Sequence, residues 1–230
     1  MELNINAFDL GLNFNNFDPD SIDVEETINA VMILDVSPSM MENNAITDLT
    51  TIFNELVEEF KQSHFRDRLF FSIIEFSSDV KVKTGFQPIT SLQPMQFTAN
   101  QRGLTALYDA TLAGLKNAMD YRERLENSGV LCKTLLFVIT DGDDNASKTN
   151  PHEVKNAIQT ILKDEKNKFT FSSMLLGVGN DASFRKAKDD MGIQYMPETH
   201  EKNAKGIRKL INIISSSVSS TANGSTNISF

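Results

Sequence analysis

Several features are scarce in this sequence, and each scarcity narrows what the chain can be. It has one cysteine, Cys132, so no intrachain disulfide can form. The position of Cys132 ahead of an apolar, strand-like run predicts a buried, inert thiol. Basic residues are outnumbered, 22 Lys and Arg against 31 Asp and Glu, which gives a net charge of −9 and a pI of about 4.9. That balance argues against non-specific nucleic-acid binding, which needs cations to displace phosphate counterions, and against docking on anionic membranes. No apolar run approaches the roughly 20 residues that span a bilayer. The opening residues MELNINAFDLG show neither a basic n-region nor an apolar h-region, so no signal peptide is visible. A cytoplasmic setting is the expectation, and virion, phage or secretion-machine components share this profile. Finally, nothing in the chain pairs a nucleophile with a base.

What is present is an ordinary globular composition, 40% hydrophobic and 23% charged over 230 residues, enough for one domain with a full core. Residues 1–27 are rich in Asn and Asp, with scattered Phe8, Phe14 and Phe17. They read as an N-terminal extension, either an arm or an irregular cap on the same core. From Asn29 a regular alternation sets in. The apolar run Ala30–Leu34 predicts a buried central strand ending at Asp35. A helix over 44–62 follows, with Ile46, Leu49, Ile52, Phe53, Leu56, Val57 and Phe60 spaced by threes and fours. Further strands are expected at 69–76, 134–140, 169–178 and 193–196, with a short edge strand at 79–83 whose lysines suit an exposed border. Further helices are expected at 106–126, 151–163, 182–191 and 204–218, and a loop at 84–103. From Ser219 the sequence fades into Ser, Thr, Asn and Gly and reads as a mobile polar tail. Strands alternating with helices define an α/β fold: a Rossmann-like, mostly parallel sheet with one short antiparallel edge strand and helices on both faces. The domain is expected over 28–218, with a tail at 219–230.

In open α/β sheets, ligands bind at the carboxyl ends of the strands. Three segments place oxygen-bearing side chains there: Asp35-Val36-Ser37-Pro38-Ser39 after the first buried strand, Gly103-Leu104-Thr105-Ala106-Leu107-Tyr108-Asp109-Ala110 at a helix start, and Thr140-Asp141-Gly142-Asp143-Asp144-Asn145 after another buried strand. Hydroxyls and carboxylates without a neighbouring Cys or His suit a hard, oxygen-preferring cation: Mg²⁺ first, with Mn²⁺ and Ca²⁺ as alternatives. The alternation Asp35-x-Ser37-x-Ser39 lets three oxygens converge as the chain leaves the strand. With Asp35 bound directly and Asp141 through water, the first shell carries little negative charge. The dication then stays electrophilic, and a partner's Asp or Glu can complete its shell. The competing reading is that Ser37 and Ser39 cap the following helix while Asp141 turns with Gly142.

The three segments, in this order, resemble the metal-ion-dependent adhesion site of von Willebrand factor A domains, over roughly residues 28–218. The resemblance implies that Asp35, Ser37 and Ser39 are direct metal ligands and that Thr105 joins or leaves the shell with conformation. It further implies that Asp141 binds directly or through water, and that a sixth position is open to an acidic residue of a partner protein. The Ala-Leu-Tyr-Asp-Ala stretch is similar to cytosolic bacterial and phage-type members. In relatives the last helix shifts as the metal site changes shape; here Ile207, Leu210, Ile211 and Ile214 would form its packing face.

The function expected is therefore a metal-dependent protein-interaction module and not an enzyme. The alternatives are a structural component of a larger assembly, such as a virion or a secretion or defence complex, with a non-essential metal site, and a Mg²⁺-dependent hydrolase. Hydrolases of the haloacid dehalogenase type need a second Asp where this chain has Ser37. Other residues carry plainer expectations. Asp143 and Asp144 form a solvated acidic turn; Tyr108 packs in the core; His64, His152 and His200 are exposed. Asp109 is either a hydrogen-bonding support of the site or a surface charge on its helix. Gly177-Val178-Gly179 ends a strand and lacks the full phosphate-loop fingerprint.

Overall fold

A computed structural model of the chain describes residues 11–179 and 183–224. The expectations for Phe8, for Ala182 as a helix start and for the last six residues of the tail fall outside these residues. Six strands, β1 (Glu26–Asp35), β2 (Leu69–Phe76), β3 (Val80–Pro88), β4 (Leu131–Thr140), β5 (Phe171–Val178) and β6 (Glu198–Thr199), form one sheet. Their order is β3-β2-β1-β4-β5-β6. All pairings are parallel except the β2–β3 hairpin at one edge. The helices are α1 (Ala45–Lys61), α2 (Leu107–Asn127), α3 (Pro151–Lys163), the single turn α4 (Asn167–Thr170), α5 (Ser183–Met191) and α6 (Ala204–Ala222). The fold is the mostly parallel, two-sided α/β sheet that the alternation of patterns predicts.

The period-two geometry of a strand divides β1 between two cores. Ile28, Ala30, Met32 and Leu34 meet the apolar stripes of α1 and α6 on one face. Val31 and Ile33 meet Leu107, Leu115, Ala118 and the α3 stripe on the other. Burial on both faces accounts for the unbroken apolar run. Gly114 lets α2 lie close to β1: a Cβ there would come 2.6 Å from Ile33 Cδ1. β1 is also the pivot of the topology. Chain order runs from β1 outward to β2 on one side and to β4 on the other. The loops leaving β1 and β4 therefore part company, and a crevice opens at the carboxyl ends of these neighbouring strands.

β1 and β4 begin earlier than expected, at Glu26 and Leu131, and β5 later, at Phe171 after the turn of α4; three further boundaries differ, each for a local reason. β3 continues to Pro88, through the stretch whose Gly and Pro suggested a loop. The segment around Phe14–Phe17 completes it: Phe17 N–H donates to Phe86 O at 2.7 Å, Asn16 Oδ1 accepts from Phe86 N–H at 2.8 Å, and the Phe17 ring packs on Phe70. An exposed edge is thus covered by the chain's own N-terminal segment. The last strand lies at Glu198–Thr199, after the apolar residues that suggested 193–196. There Tyr195 makes only an isolated bridge to Met174, because Ile193 turns inward to the core under α5. Finally, α6 passes Ser219 and ends at Ala222, since Val218, Thr221 and Ala222 are buried.

Candidate metal centre at the carboxyl end of the sheet

β1 delivers Asp35 to the crevice as a fully buried carboxylate. Its Oδ1 accepts from Ser37 N–H at 2.8 Å and its Oδ2 from Thr140 Oγ1 at 2.6 Å. The chain then turns outward through Pro38–Asn44. Ser37 Oγ lies 2.9 Å from Ser39 Oγ, and Ser39 Oγ donates to Asp141 Oδ1 at 2.7 Å. Asp35, Ser37, Ser39 and Asp141 thus form one connected cluster of oxygens, drawn from the ends of β1 and β4. The serines do not cap a helix. Ser37 makes no capping hydrogen bond, and α1 starts after Asn44. The turn partner of Gly142 is Thr140, whose Oγ1 accepts from Gly142 N–H. Before α1 the chain reverses through Asn43 and Asn44, both left-handed with φ of 52° and 60°. Asn tolerates that conformation better than other side-chain-bearing residues, and strain of this kind gathers at binding sites.

Thr105 reaches the crevice by its backbone. Its N–H donates to Asn145 Oδ1 at 2.7 Å, and its carbonyl accepts from Asn145 N–H and Ala146 N–H. On the other side Ala106 N–H donates to Ser77 O at 2.7 Å, and Leu104 N–H to Ser78 Oγ at 2.7 Å. The Thr105 loop is therefore tied to the end of β2 and to the loop that begins at Asp141. The hydrogen bonds of the oxygen cluster run through the other four residues and do not include the Thr105 hydroxyl.

Of the two readings of Asp109, the surface charge is ruled out. The residue is buried, and its carboxylate accepts from Lys148 N–H at 3.1 Å and Thr149 N–H at 2.8 Å, bracing the far end of the Asp141 loop. Asp144 also departs from the solvated turn expected of it. Half-buried, its Oδ1 accepts from Ser147 Oγ, and with Ser147 it meets the first N–H groups of α2 at Tyr108 and Asp109. This is helix capping supplied from a distant loop. Asp143 is exposed, Tyr108 is buried, and His64, His152 and His200 are exposed. Cys132 is buried, and burial pushes its thiol pKa up, as suits an inert thiol.

The electrostatics of the cluster are lopsided. Burial is the main cause raising the Asp35 carboxyl from 3.8 to about 6; the Thr140 and Ser37 hydrogen bonds oppose it and the Asp141 charge adds to it. Asp141 has recruited a cation that the sequence pattern gave no reason to suspect. Lys202 Nζ lies 2.6 Å from its buried Oδ2 and 3.0 Å from Glu42 Oε2. Burial disfavours the Lys202 ammonium, but its hydrogen bonds to Asp141 and Glu42 prevail and raise its pKa. Lys202 stands 61 positions from Asp141 in no motif, so only the return of the chain from β6 reveals it. Among the described residues no group of three or more His, Cys, Asp and Glu has metal-holding geometry. The cluster here is of another type, with two carboxylates and the rest hydroxyls.

A doubly wound sheet with hydroxyls and carboxylates converging at its switch point defines an open α/β domain with a candidate site at the carboxyl end of its sheet. The sequence profile of the von Willebrand factor type A domain matches residues 29–183, and the chain belongs to that family. No curated protein matches the sequence significantly. Solved structures share the fold at low identity. Proximal thread matrix protein 1 from the mussel byssus is 18% identical with a TM-score of 0.54, over 84% of this chain and 46% of that one. BatB from Bacteroides thetaiotaomicron is 14% identical with a TM-score of 0.55, over 86% of this chain and all of that one. The pilus adhesin SpaC from Lactobacillus rhamnosus GG is 14% identical with a TM-score of 0.57, over 85% of this chain and 30% of that one. The chain thus spans under half the length of the mussel protein. A further structure of the mussel protein is described with a zinc-occupied MIDAS motif, at 18% identity and a TM-score of 0.50. Among the described residues no helix is long and apolar enough to cross a membrane.

Proposed function

We propose that this chain is a metal-dependent protein-interaction module. A divalent cation, Mg²⁺ by preference, sits on Asp35, Ser37, Ser39, Thr105 and Asp141 and binds an acidic side chain of a partner protein. The observation that carries this reading is the linked oxygen cluster around a buried carboxylate short of positive charge. Its donors are hard oxygens without nitrogen or sulfur, which fits Mg²⁺ and fits Mn²⁺ or Ca²⁺ less selectively. The zinc described in the mussel relative supports a divalent metal at the corresponding motif.

When bound, the metal supplies an electrophilic position for a carboxylate. The residues of the chain supply the rest. Thr140 and Ser37 N–H orient Asp35, Asn145 and Ser77 fix the Thr105 loop, and Asp109 braces the loop carrying Asp141. Met41 and Leu104, two of the four large hydrophobic side chains most exposed among the described residues, stand within two residues of Ser39 and Thr105. They would exclude water around a carboxylate seated between them and so strengthen its attraction to the metal. A hydrolase is disfavoured because Ser37 occupies the position where such enzymes need an acid, and every histidine is exposed.

Calorimetric titration of the full chain with MgCl₂ tests the site. Binding heat is expected in the unmodified protein and is lost in Asp35→Ala and Thr105→Ala, with circular dichroism unchanged. Undiminished Mg²⁺ affinity in Asp35→Ala would refute the assignment. Partner capture compared in Mg²⁺ and in EDTA then tests the interaction itself.

A further inference from the structure

We propose that Lys202 is a tethered cation that competes with the metal. It neutralises Asp141 while the site is metal-free and must yield that carboxylate when the divalent ion binds, so that Lys202 sets the affinity of the site. The inference rests on the metal-site reading above.

Four observations carry it. The ammonium is 2.6 Å from Asp141 Oδ2, on a side chain with no exposure, while Lys202 itself is 15% exposed at its side chain. It therefore reaches from the rim onto the same carboxylate that the metal needs. Its stem passes beside Gly179, where even a Cβ, which glycine lacks, would come no nearer than 3.8 Å to Lys202 Cβ and Cδ, so the side chain has room to swing there. The backbone on both sides is fixed independently of the ion pair. Gly179 N–H donates to Thr199 O at 2.8 Å, and Asn203 Oδ1 accepts from Lys205 N–H at 3.0 Å and Gly206 N–H at 3.2 Å. Only the side chain has to move for Lys202 to let go. Glu42, largely exposed and 3.0 Å from Nζ, keeps the ammonium at the rim once Asp141 is surrendered.

The consequence is a competition between two cations for one buried carboxylate. A surface ion pair would be too weak to matter. Here one partner is fully buried, and a charge-assisted hydrogen bond to it is worth enough to be felt in binding. Breaking that bond is a cost of metal entry, and a positive charge left nearby opposes the incoming dication. Both effects lower affinity, and removing Lys202 relieves both.

The test is titration of the full chain with MgCl₂ and MnCl₂, comparing the unmodified protein with Lys202→Met. The variant is expected to bind Mg²⁺ about tenfold or more tightly, the equivalent of one charge-assisted hydrogen bond. Equal or weaker binding in the variant, with binding intact in the unmodified chain, would overturn the role of Lys202 and leave the metal site standing. Binding of neither ion to either chain would overturn the metal site and this inference with it. A second measurement needs no variant: reductive methylation of Lys202 in the unmodified protein, read by mass spectrometry. Labelling is expected to be several-fold faster in saturating Mg²⁺ than in EDTA. A Lys202 equally protected in both, while Mg²⁺ binds, would refute the proposal even if Lys202→Met failed to fold.

Discussion

Asp35→Asn is expected to make the metal-free protein more stable, although it damages the centre of the site. The wild-type carboxyl moves from 3.8 to about 6 on folding, mainly through burial. At pH 8 that corresponds to about 3 kcal/mol by which the ionised group opposes folding. The sign follows from the direction: a carboxyl raised in the folded state favours folding fully below its unfolded value, and that contribution is lost as pH rises through the folded one. Asparagine removes the charge and keeps most of the local bonding. Its Oδ1 can accept from Ser37 N–H. Its amide can donate to Thr140 Oγ1, which already contacts Gly142 O and can turn its own proton there. The second amide hydrogen has no evident acceptor, a cost of about 1 kcal/mol. The net gain is then about 2 kcal/mol, or roughly 4–8 °C in Tm for a chain of this size.

Urea and thermal denaturation in EDTA, run from pH 4 to pH 8, measure this. Groups remote from position 35 are the same in the two proteins, so the difference centres on Asp35 and the Asp141 charge coupled to it. The variant should lead at pH 8, and the gap should shrink as pH falls from about 6 towards 3.8, since the folded carboxyl is protonated first and the unfolded one only near 3.8. A variant less stable than wild type at pH 8 in EDTA, or a gap independent of pH, would refute the account of Asp35 as a buried charge short of a counterion.

Two further outcomes are expected. Asp109→Ala should leave the Lys148 and Thr149 N–H groups without their acceptor, lower stability by about 1–3 kcal/mol and weaken Mg²⁺ binding without abolishing it; calorimetry showing unchanged affinity would mean that the brace does not reach Asp141. Gly85→Ala would place a Cβ 1.7 Å from the carbonyl oxygen of Phe14, so the N-terminal segment should be displaced from β3, which limited proteolysis around residues 11–17 would report, while Mg²⁺ affinity at the far end of β1 stays as it was.

The sheet was legible because burial on both faces writes a parallel strand as an unbroken apolar run, and α1 and α3 as stripes at helical spacing. Edges were not. β3 depends on Asn16 and Phe17, some 70 residues upstream, and β6 on two residues with no apolar signal between them. The crevice was legible for a related reason: strand ends and helix starts are marked in sequence, and Asp35 and Asp141 sit at the former, Thr105 at the latter. What escaped was everything that meets the crevice from outside the pattern. Asp144 and Ser147 cap α2 from a loop nearly 40 residues away, and Lys202 arrives on the segment between β6 and α6. Contacts of that kind carry no period and no spacing, since they depend on where the chain returns.

Several departures from local consistency gather at the carboxyl end of the sheet, and they share a direction. A buried carboxylate raised to about 6 and an ammonium drawn from the rim onto Asp141 sit around the same oxygens, and two asparagines in left-handed conformation follow on the segment that leaves Ser39. Sequences tend to tolerate such costs where a site needs them. The size of the cost is informative. A metal at 100 times its dissociation constant stabilises a protein by about 2.7 kcal/mol, close to the ~3 kcal/mol by which the ionised Asp35 opposes folding at neutral pH. On the proposed reading, Mg²⁺ near saturation returns the domain to the stability it would have had with an uncharged residue at position 35. In Mg²⁺ wild type and Asp35→Asn should therefore converge in Tm, whereas in EDTA they separate. Convergence links the cost of Asp35 to the metal; a separation that persists unchanged in saturating Mg²⁺ would break that link.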